Sequence, residues 1–342
     1  MISDLMEKLT GVFGQGLSNS FYPVPQEVIG VGSAFDGWSP RAEDVVYQVL
    51  VGLSPPPGHA FHLELDTGAG MAQRKFWVRV ELLCTCTREQ LGKDMLCFLH
   101  HPEEELRRKQ DLSLLHTLCT GSYLDVVKTA HWFCRFVRVA WLLLPQSRHW
   151  RLTLRPSSHS CQFQLSKEQE SFMVELIFGV QPGDSDIFVG SQPTVGGIPS
   201  TTWLETCAVA EAKFFRHISR QGPQDSWHSR CLQLLSRSLM GVGFCSYTLK
   251  TVLMHLLSTV PLTRWRRRDL PQRLMDILNY LHCSLETKRL HQFVIGNERF
   301  PVEISLPSDL RLAEPLNRFQ HLVSNPDAHV KAVQEHIRLL QG

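Results

Sequence analysis

The chain lacks the features that would assign it quickly. Its 342 residues carry 35 Lys and Arg against 33 Asp and Glu, a formal charge of +2, so no global field draws it to nucleic acid and such a role would need a local basic patch. No apolar run is clean enough to cross a bilayer: the most apolar long stretch, Leu124 to Leu144, is interrupted by Asp125, Lys128, His131, Arg135 and Arg138. Met1 to Leu17 contains Asp4, Glu7 and Lys8 and no uninterrupted apolar core, which argues against a secretory signal. A membrane anchor is expected only in a longer form. The ten cysteines are scattered, several of them inside apolar runs, which favours reduced thiols over a disulfide framework. No Ser/His/Asp or Cys/His arrangement has local support in the sequence.

What is present describes a globular protein, 43% hydrophobic and 20% charged, too long for one core to be the default. Ile2 to Leu17 reads as a short helix. Glu27 to Gly32, Val45 to Leu53, Phe61 to Leu65 and Phe76 to Leu82 read as strands, the last two by alternation. Pro102 to Leu118 reads as a helix with acids early and bases late, and Leu124 to Leu144 as a longer one ended by Pro145. Strands return at Trp150 to Leu154, Cys161 to Leu165, Phe172 to Phe178 and Ile187 to Val189, and Gly190 to Thr202 reads as a boundary loop. After Trp203 the spacing is helical throughout, at Ala208 to Arg220, Trp227 to Met240, Tyr247 to Val260, Pro271 to Leu290 and Pro326 to Leu340. The expectation is an α+β chain: a mixed-sheet lobe with flanking helices over residues 1–200, then an all-helical lobe over 203–342.

The chemistry, if any, belongs to Gly30-Val-Gly-Ser-Ala-Phe-Asp-Gly-Trp38 and the strand that follows it. A Gly-Ser turn after a short strand can offer backbone N–H groups to a phosphate, and acids at alternate positions on the next strand could hold metal ions beside it. Gly32-Ser33 also has a plainer reading as a turn that needs glycine for its geometry. The turn, the alternating strand and the helical segment Cys245-Ser-Tyr-Thr-Leu-Lys-Thr-Val-Leu-Met-His255 resemble the Mab-type branch of nucleotidyltransferases that includes cyclic GMP-AMP synthase. More specifically, Gly32-Ser-Ala-Phe-Asp-Gly-Trp38, Leu99-His-His101, Leu118-Cys-Thr-Gly121, Ala210-Glu-Ala-Lys213 and Ile295-Gly-Asn297 resemble the inositol trisphosphate receptor-interacting protein-like family, in order and over nearly the whole chain.

The resemblance implies a two-lobed nucleotidyltransferase-like fold in which three acids would hold two metal ions. The first two acid positions fall on Val46 and Gln48, and the third on Glu175. Asp44 has the parity of Gln48 but stands about two residues too early, and its neighbour Glu43 points to the other face. Gly32, Ser33, Val46, Gln48 and Glu175 are therefore vestigial active-site positions, and no catalytic residue, cofactor or metal is assigned. Ser246, Tyr247 and Lys250 match positions lining the nucleotide pocket of active relatives; capping and solvent contact are the alternative reading. The family further implies a single-pass membrane protein whose globular part is this chain, with a protein partner such as a membrane receptor or calcium-release channel. The expected function is a catalytically inactive interaction or regulatory module. The alternative is a divalent-metal-dependent nucleotidyltransferase or a nucleotide-binding pseudoenzyme.

Two side-chain groups stand apart from that reading. Arg264-Trp-Arg-Arg-Arg268 could meet an anionic partner, with Trp265 stacking, or could be a solvated helix connection with Asp269 as N-cap and Pro271 in the first turn. Cys84, Cys86 and Cys97 with His100 or His101 supply soft metal ligands, yet Cys-x-Cys is not the usual zinc spacing and Leu96 to Leu99 reads as buried strand. Between Lys213 and Cys231, where cyclic GMP-AMP synthase carries its DNA-gripping zinc insertion, stand only His217, His228 and Cys231, so no DNA partner is expected.

Overall fold

A computed structural model describes residues 2–16, 20–39, 45–67, 73–90, 95–193, 198–222, 226–238 and 246–341. Glu43, Asp44 and Cys245 lie outside these. The chain opens with helix α1 (Ile2–Gly16) and strands β1 (Val24–Val31), β2 (Val46–Ser54), β3 (His59–Leu65) and β4 (Lys75–Leu82). Short helices α2 (Cys86–Gln90), α3 (Glu103–Lys109) and α4 (Leu114–Thr117) lead to the small strands β5 (Cys119–Thr120) and β6 (Tyr123–Leu124), then to the long α5 (Val126–Leu143). Strands β7 (Arg151–Arg155), β8 (Ser160–Lys167), β9 (Glu170–Val180), β10 (Phe188–Gly190) and β11 (Thr202–Thr206) complete the sheet. Helices α6 (Ala208–Gln221), α7 (His228–Ser238), α8 (Ser246–Thr259), α9 (Leu270–Glu286), α10 (Ser308–Arg311), α11 (Gln320–Ser324) and α12 (Pro326–Gln341) make up the rest.

The sheet runs β1-β2-β9-β10-β11-β4-β6-β5, with β3 on β4 and the β7–β8 pair attached through β9. Only the β2–β9 pairing is parallel among those described, which makes the sheet mixed. One face is covered by α1 and α5. Leu5, Met6, Leu9 and Phe13 recur at helical spacing and meet Phe133 and Val137 of α5, and Phe133 packs on Phe178 of β9 with ring centroids 4.8 Å apart. A second apolar cluster is built by α6, α8 and α9 around Phe214, Leu253, Ile277 and Leu281. Trp38 from the Gly30 to Trp38 stretch and Ile187 beside β10 belong to that helical cluster, so the sheet segment is plugged into the helical part.

The α+β class and the mixed sheet followed by helices are as the sequence implies. Three local readings are corrected. Thr202–Thr206 is a strand, although nothing after Trp203 reads as one: all five residues are buried, so both faces are covered and the alternation that reveals a strand is absent. Pro102 to Leu118 is two helices, because Gln110 leaves the first in an extended conformation (φ −150°, ψ 168°) and brackets the Leu96 main chain with its amide. Leu96 to Leu99 is a loop entering a turn, with Leu99 51% exposed, and is no buried strand. Among the described residues no helix is long and apolar enough to cross a membrane.

Candidate functional site

The first wall of the site comes from the sheet. Parallel pairing of β2 with β9 sets Gln48 directly beside Glu175. The chain enters this region through Gly32, whose φ of +78° favours glycine and whose missing Cβ leaves room for the Gln48 Oε1, 2.7 Å from where that atom would stand. Glu175 is then surrounded by donors. The amide Nε2 of Gln48 donates to its Oε2 at 3.0 Å, while the Ser160 hydroxyl and the Gln162 amide donate to its Oε1 at 2.9 and 2.8 Å, and His159 Nε2 stands 3.6 Å from the same oxygen. Burial alone would push the carboxyl up, but these donors outweigh it and hold its pKa down at about 2. Glu175 is therefore an ionised group that accepts hydrogen bonds and is far too weak a base for proton transfer near neutral pH.

The second wall is helical. Lys250 on α8 is buried and lies 3.2 Å from Asp36 Oδ2 and 2.9 Å from Glu211 Oε2, with all three side chains 5% exposed or less. Burial would lower the lysine pKa, yet Glu211 and Asp36 overcome this and raise it above the ordinary value. The Tyr247 hydroxyl donates to Glu211 Oε1. Burial, with the Glu211 charge in support, pushes that phenol well above its usual range. The Arg318 guanidinium stands over the Tyr247 ring, 4.4 Å from its centroid.

Between the walls lies a cleft of about 400 Å³, and Gly32, Gln48, Glu175, Tyr247 and Lys250 all line it. Its cations, Arg74, Lys250 and Arg318, are matched in number by the acids Glu175, Glu205 and Glu211. Two of the cations are also paired: Arg74 lies 3.4 Å from Glu205 and 3.1 Å from Asp309, and Lys250 is held as above, while Arg318 lies over the Tyr247 ring. Such a lining offers no excess positive potential to a polyphosphate. The donor set equally fails a pair of hard divalent ions, which want several carboxylate or carbonyl oxygens. Val46 and Gln48 supply none of the charge required, and among the described residues Glu175 belongs to no group of three metal-ligating side chains. The residues described do not fit the two-metal site that the fold implies.

Other sequence-predicted positions fall outside the cleft. Val46 is exposed at the start of β2, and Ser246 is exposed at the start of α8. Ser33 accepts from the Ser39 hydroxyl at 3.3 Å, and its carbonyl accepts from the Trp38 N–H at 3.0 Å, contacts of a turn. In the basic run, Trp265 is 0% exposed within the helical core, so packing takes the place of stacking on a partner. Arg267 lies over Trp227, Arg266 bridges to Ser226, and only Arg264, Arg267 and Arg268 are exposed. Asp269 does occupy the N-cap position of α9 with Pro271 in the first turn, though its side chain makes no capping bond. Sequence reasoning overlooked Asp36, His159, Gln162 and Glu211. Asp36 and Glu211 sit inside the motifs Gly32 to Trp38 and Ala210 to Lys213, so the motifs themselves were the available signal. The structure also gathers Cys84, Cys86, Cys97 and His100, with ligand atoms all within 4.8 Å of one another, where the sequence assigned no metal.

Comparison with known proteins adds the family. An inositol 1,4,5-trisphosphate receptor-interacting protein-like 1 from Rattus norvegicus is 38% identical over 335 residues, covering 93% of this chain and 60% of that protein. The chain is thus similar, over nearly its whole length, to the inositol trisphosphate receptor-interacting protein-like family. The inositol 1,4,5-trisphosphate receptor-interacting proteins of Danio rerio and Homo sapiens are each 29% identical, over 91% and 100% of this chain and 61% and 66% of their own lengths. A family model described as the Mab-21 protein HhH/H2TH-like domain matches residues 229–298, which takes in α8, α9 and Ile295-Gly-Asn297. The chain spans about 60% of the length of the first relatives it matches.

Proposed function

We propose that this chain is a catalytically silent nucleotidyltransferase fold that works by binding a protein. The observation that carries the silence is the Glu175 environment: the carboxylate that would ligand metal accepts from the Gln48, Gln162 and Ser160 side chains, and the position beside it in register is an amide. Of the cleft's cations, Arg74 and Lys250 already face carboxylates, and Glu175 is held ionised, with its pKa at about 2. A folded cleft stripped of its reaction leaves the surface as the working part.

The partner is read from the relatives, which are named inositol 1,4,5-trisphosphate receptor-interacting proteins. On this reading the chain is the globular part of a membrane-associated protein, and it engages a receptor or calcium-release channel of that kind. Purified chain, immobilised and exposed to detergent-solubilised inositol 1,4,5-trisphosphate receptor, is expected to bind saturably; absence of binding sinks the partner assignment. Thermal-shift titration with nucleoside triphosphates and magnesium tests the nucleotide-binding alternative, because any ligand of the native state alone must raise its stability. No shift is expected.

A further inference from the structure

We propose that Cys84, Cys86, Cys97 and His100 bind one zinc ion as a closed structural site, apart from the cleft. The sulfurs of Cys84, Cys86 and Cys97 lie 3.6, 3.0 and 3.3 Å from a single atom, Nδ1 of His100. A ring nitrogen makes one hydrogen bond, as donor or as acceptor, so three sulfurs around it exceed what hydrogen bonding explains. A tetrahedral zinc explains it: Zn–S of about 2.3 Å and Zn–N of about 2.0 Å place sulfur and nitrogen roughly 3.5 Å apart and two sulfurs roughly 3.8 Å apart. All four ligand atoms fall within 4.8 Å of one another, the size of such a tetrahedron before an ion draws it in.

The donor chemistry selects the ion. Three thiolates and an imidazole are soft and borderline ligands, which suit zinc and exclude calcium and magnesium. Four protein ligands fill a tetrahedron and leave no position for water or substrate, the mark of a structural site. On binding, the three thiol protons pass to solvent as three Zn–S bonds form.

The scaffold holds the ligands in place without the ion. Cys97 is buried, its sulfur accepts from the Thr85 N–H at 3.4 Å, and its carbonyl accepts from the N–H groups of His100 and His101, both at 3.2 Å. Between the two ligands of this turn, the Phe98 ring packs on Phe21 at 4.7 Å and on His59 at 5.3 Å. The Gln110 amide clasps Leu96, donating to its carbonyl at 3.2 Å and accepting from its N–H at 2.9 Å. Gly58, at φ +74°, lets Met95 approach, since a Cβ there would stand 2.6 Å from the Met95 Cε. Zinc would join the segment leaving β4 to the turn that precedes α3, pinning the connection beside the β3 edge of the sheet. None of the four ligands lines the cleft, so this assignment stands or falls independently of the proposed function.

The test uses the full chain, purified under reducing conditions without chelator. Elemental analysis is expected to find one zinc per chain; a strong chelator is expected to remove it and lower Tm, and added zinc to restore both. Cobalt reconstitution is expected to give the visible ligand-field bands of a tetrahedral thiolate site. Cys84→Ser and His100→Gln change exposed ligands, so both are expected to retain the circular dichroism of the parent while losing the metal. Cys283→Ser, an exposed cysteine outside the cluster, is expected to keep it. A chain that holds no zinc and gives no tetrahedral cobalt spectrum after reduction, or another metal at full occupancy, or zinc undiminished in both ligand variants, overturns the proposal.

Discussion

The two walls of the cleft bury charge in opposite ways. On the sheet side the carboxylate of Glu175 is met by neutral amides and a hydroxyl together with His159, while on the helical side the ammonium of Lys250 is locked between two carboxylates, Asp36 and Glu211. On the proposed reading, this difference is how such a site loses its reaction and keeps its fold. Where metal ions would neutralise acids, Gln48 both removes one negative charge and turns a donor toward the remaining one. No comparable exchange is open on the helical side, because removing the cation there strands two buried anions.

That asymmetry sets the order of the expected effects. Lys250→Met should be the most damaging change, destabilising the chain by about 3–5 kcal/mol in urea unfolding, since it leaves Asp36 and Glu211 buried without a counter-charge. Combining it with Asp36→Asn and Glu211→Gln should recover most of the loss, because the buried charge then disappears as a set. A single Lys250→Met that costs less than about 1 kcal/mol would erase the contrast between the walls.

Much of this fold was legible in the sequence, and the reasons differ by element. The strands Phe61 to Leu65 and Phe76 to Leu82 alternate because one face is buried, and the helices after Ala208 show their apolar spacing because each presents one face to the helical core. Thr202–Thr206 was hidden by being buried on both faces, and the break at Gln110 by a long-range clasp on Leu96 that no local pattern records. At the site, the absence of acids at Val46 and Gln48 could be read directly. Asp36 could not be assigned to Lys250, 214 positions later, nor Cys84 to His100, because only the fold brings them together.

Glu175→Gln should cost less, on the order of 1–3 kcal/mol, because the shape survives and only the charge that the donors were arranged around is lost. Its pH signature is specific. The folded pKa, about 2, lies below the ordinary value of 4.5, so the folded state binds fewer protons than the unfolded one in that interval. The stability from this group is therefore complete above about pH 4.5 and is lost as pH falls toward 2; denaturation midpoints followed down this range should fall more steeply for the parent chain than for Glu175→Gln. Equal slopes would mean that the donors do not hold Glu175 ionised.

The smallest effect is expected at Arg74, which reaches Glu205 within the cleft and the largely exposed Asp309 of α10. Solvent screens the Asp309 contact, and Glu205, whose carboxyl burial already pushes up, can take a proton in place of the lost partner, so Arg74→Ala should change the unfolding free energy by no more than about 1 kcal/mol, an effect that should weaken as salt is added. A loss as large as that of Lys250→Met would place the charge lock at the cleft mouth instead of beneath it.

The most direct test of catalytic silence is pyrophosphate release. The purified chain is incubated with each nucleoside triphosphate and magnesium or manganese, with Glu175→Ala run in parallel. The account predicts no release above that of the variant. Sustained turnover that disappears in Glu175→Ala would contradict it.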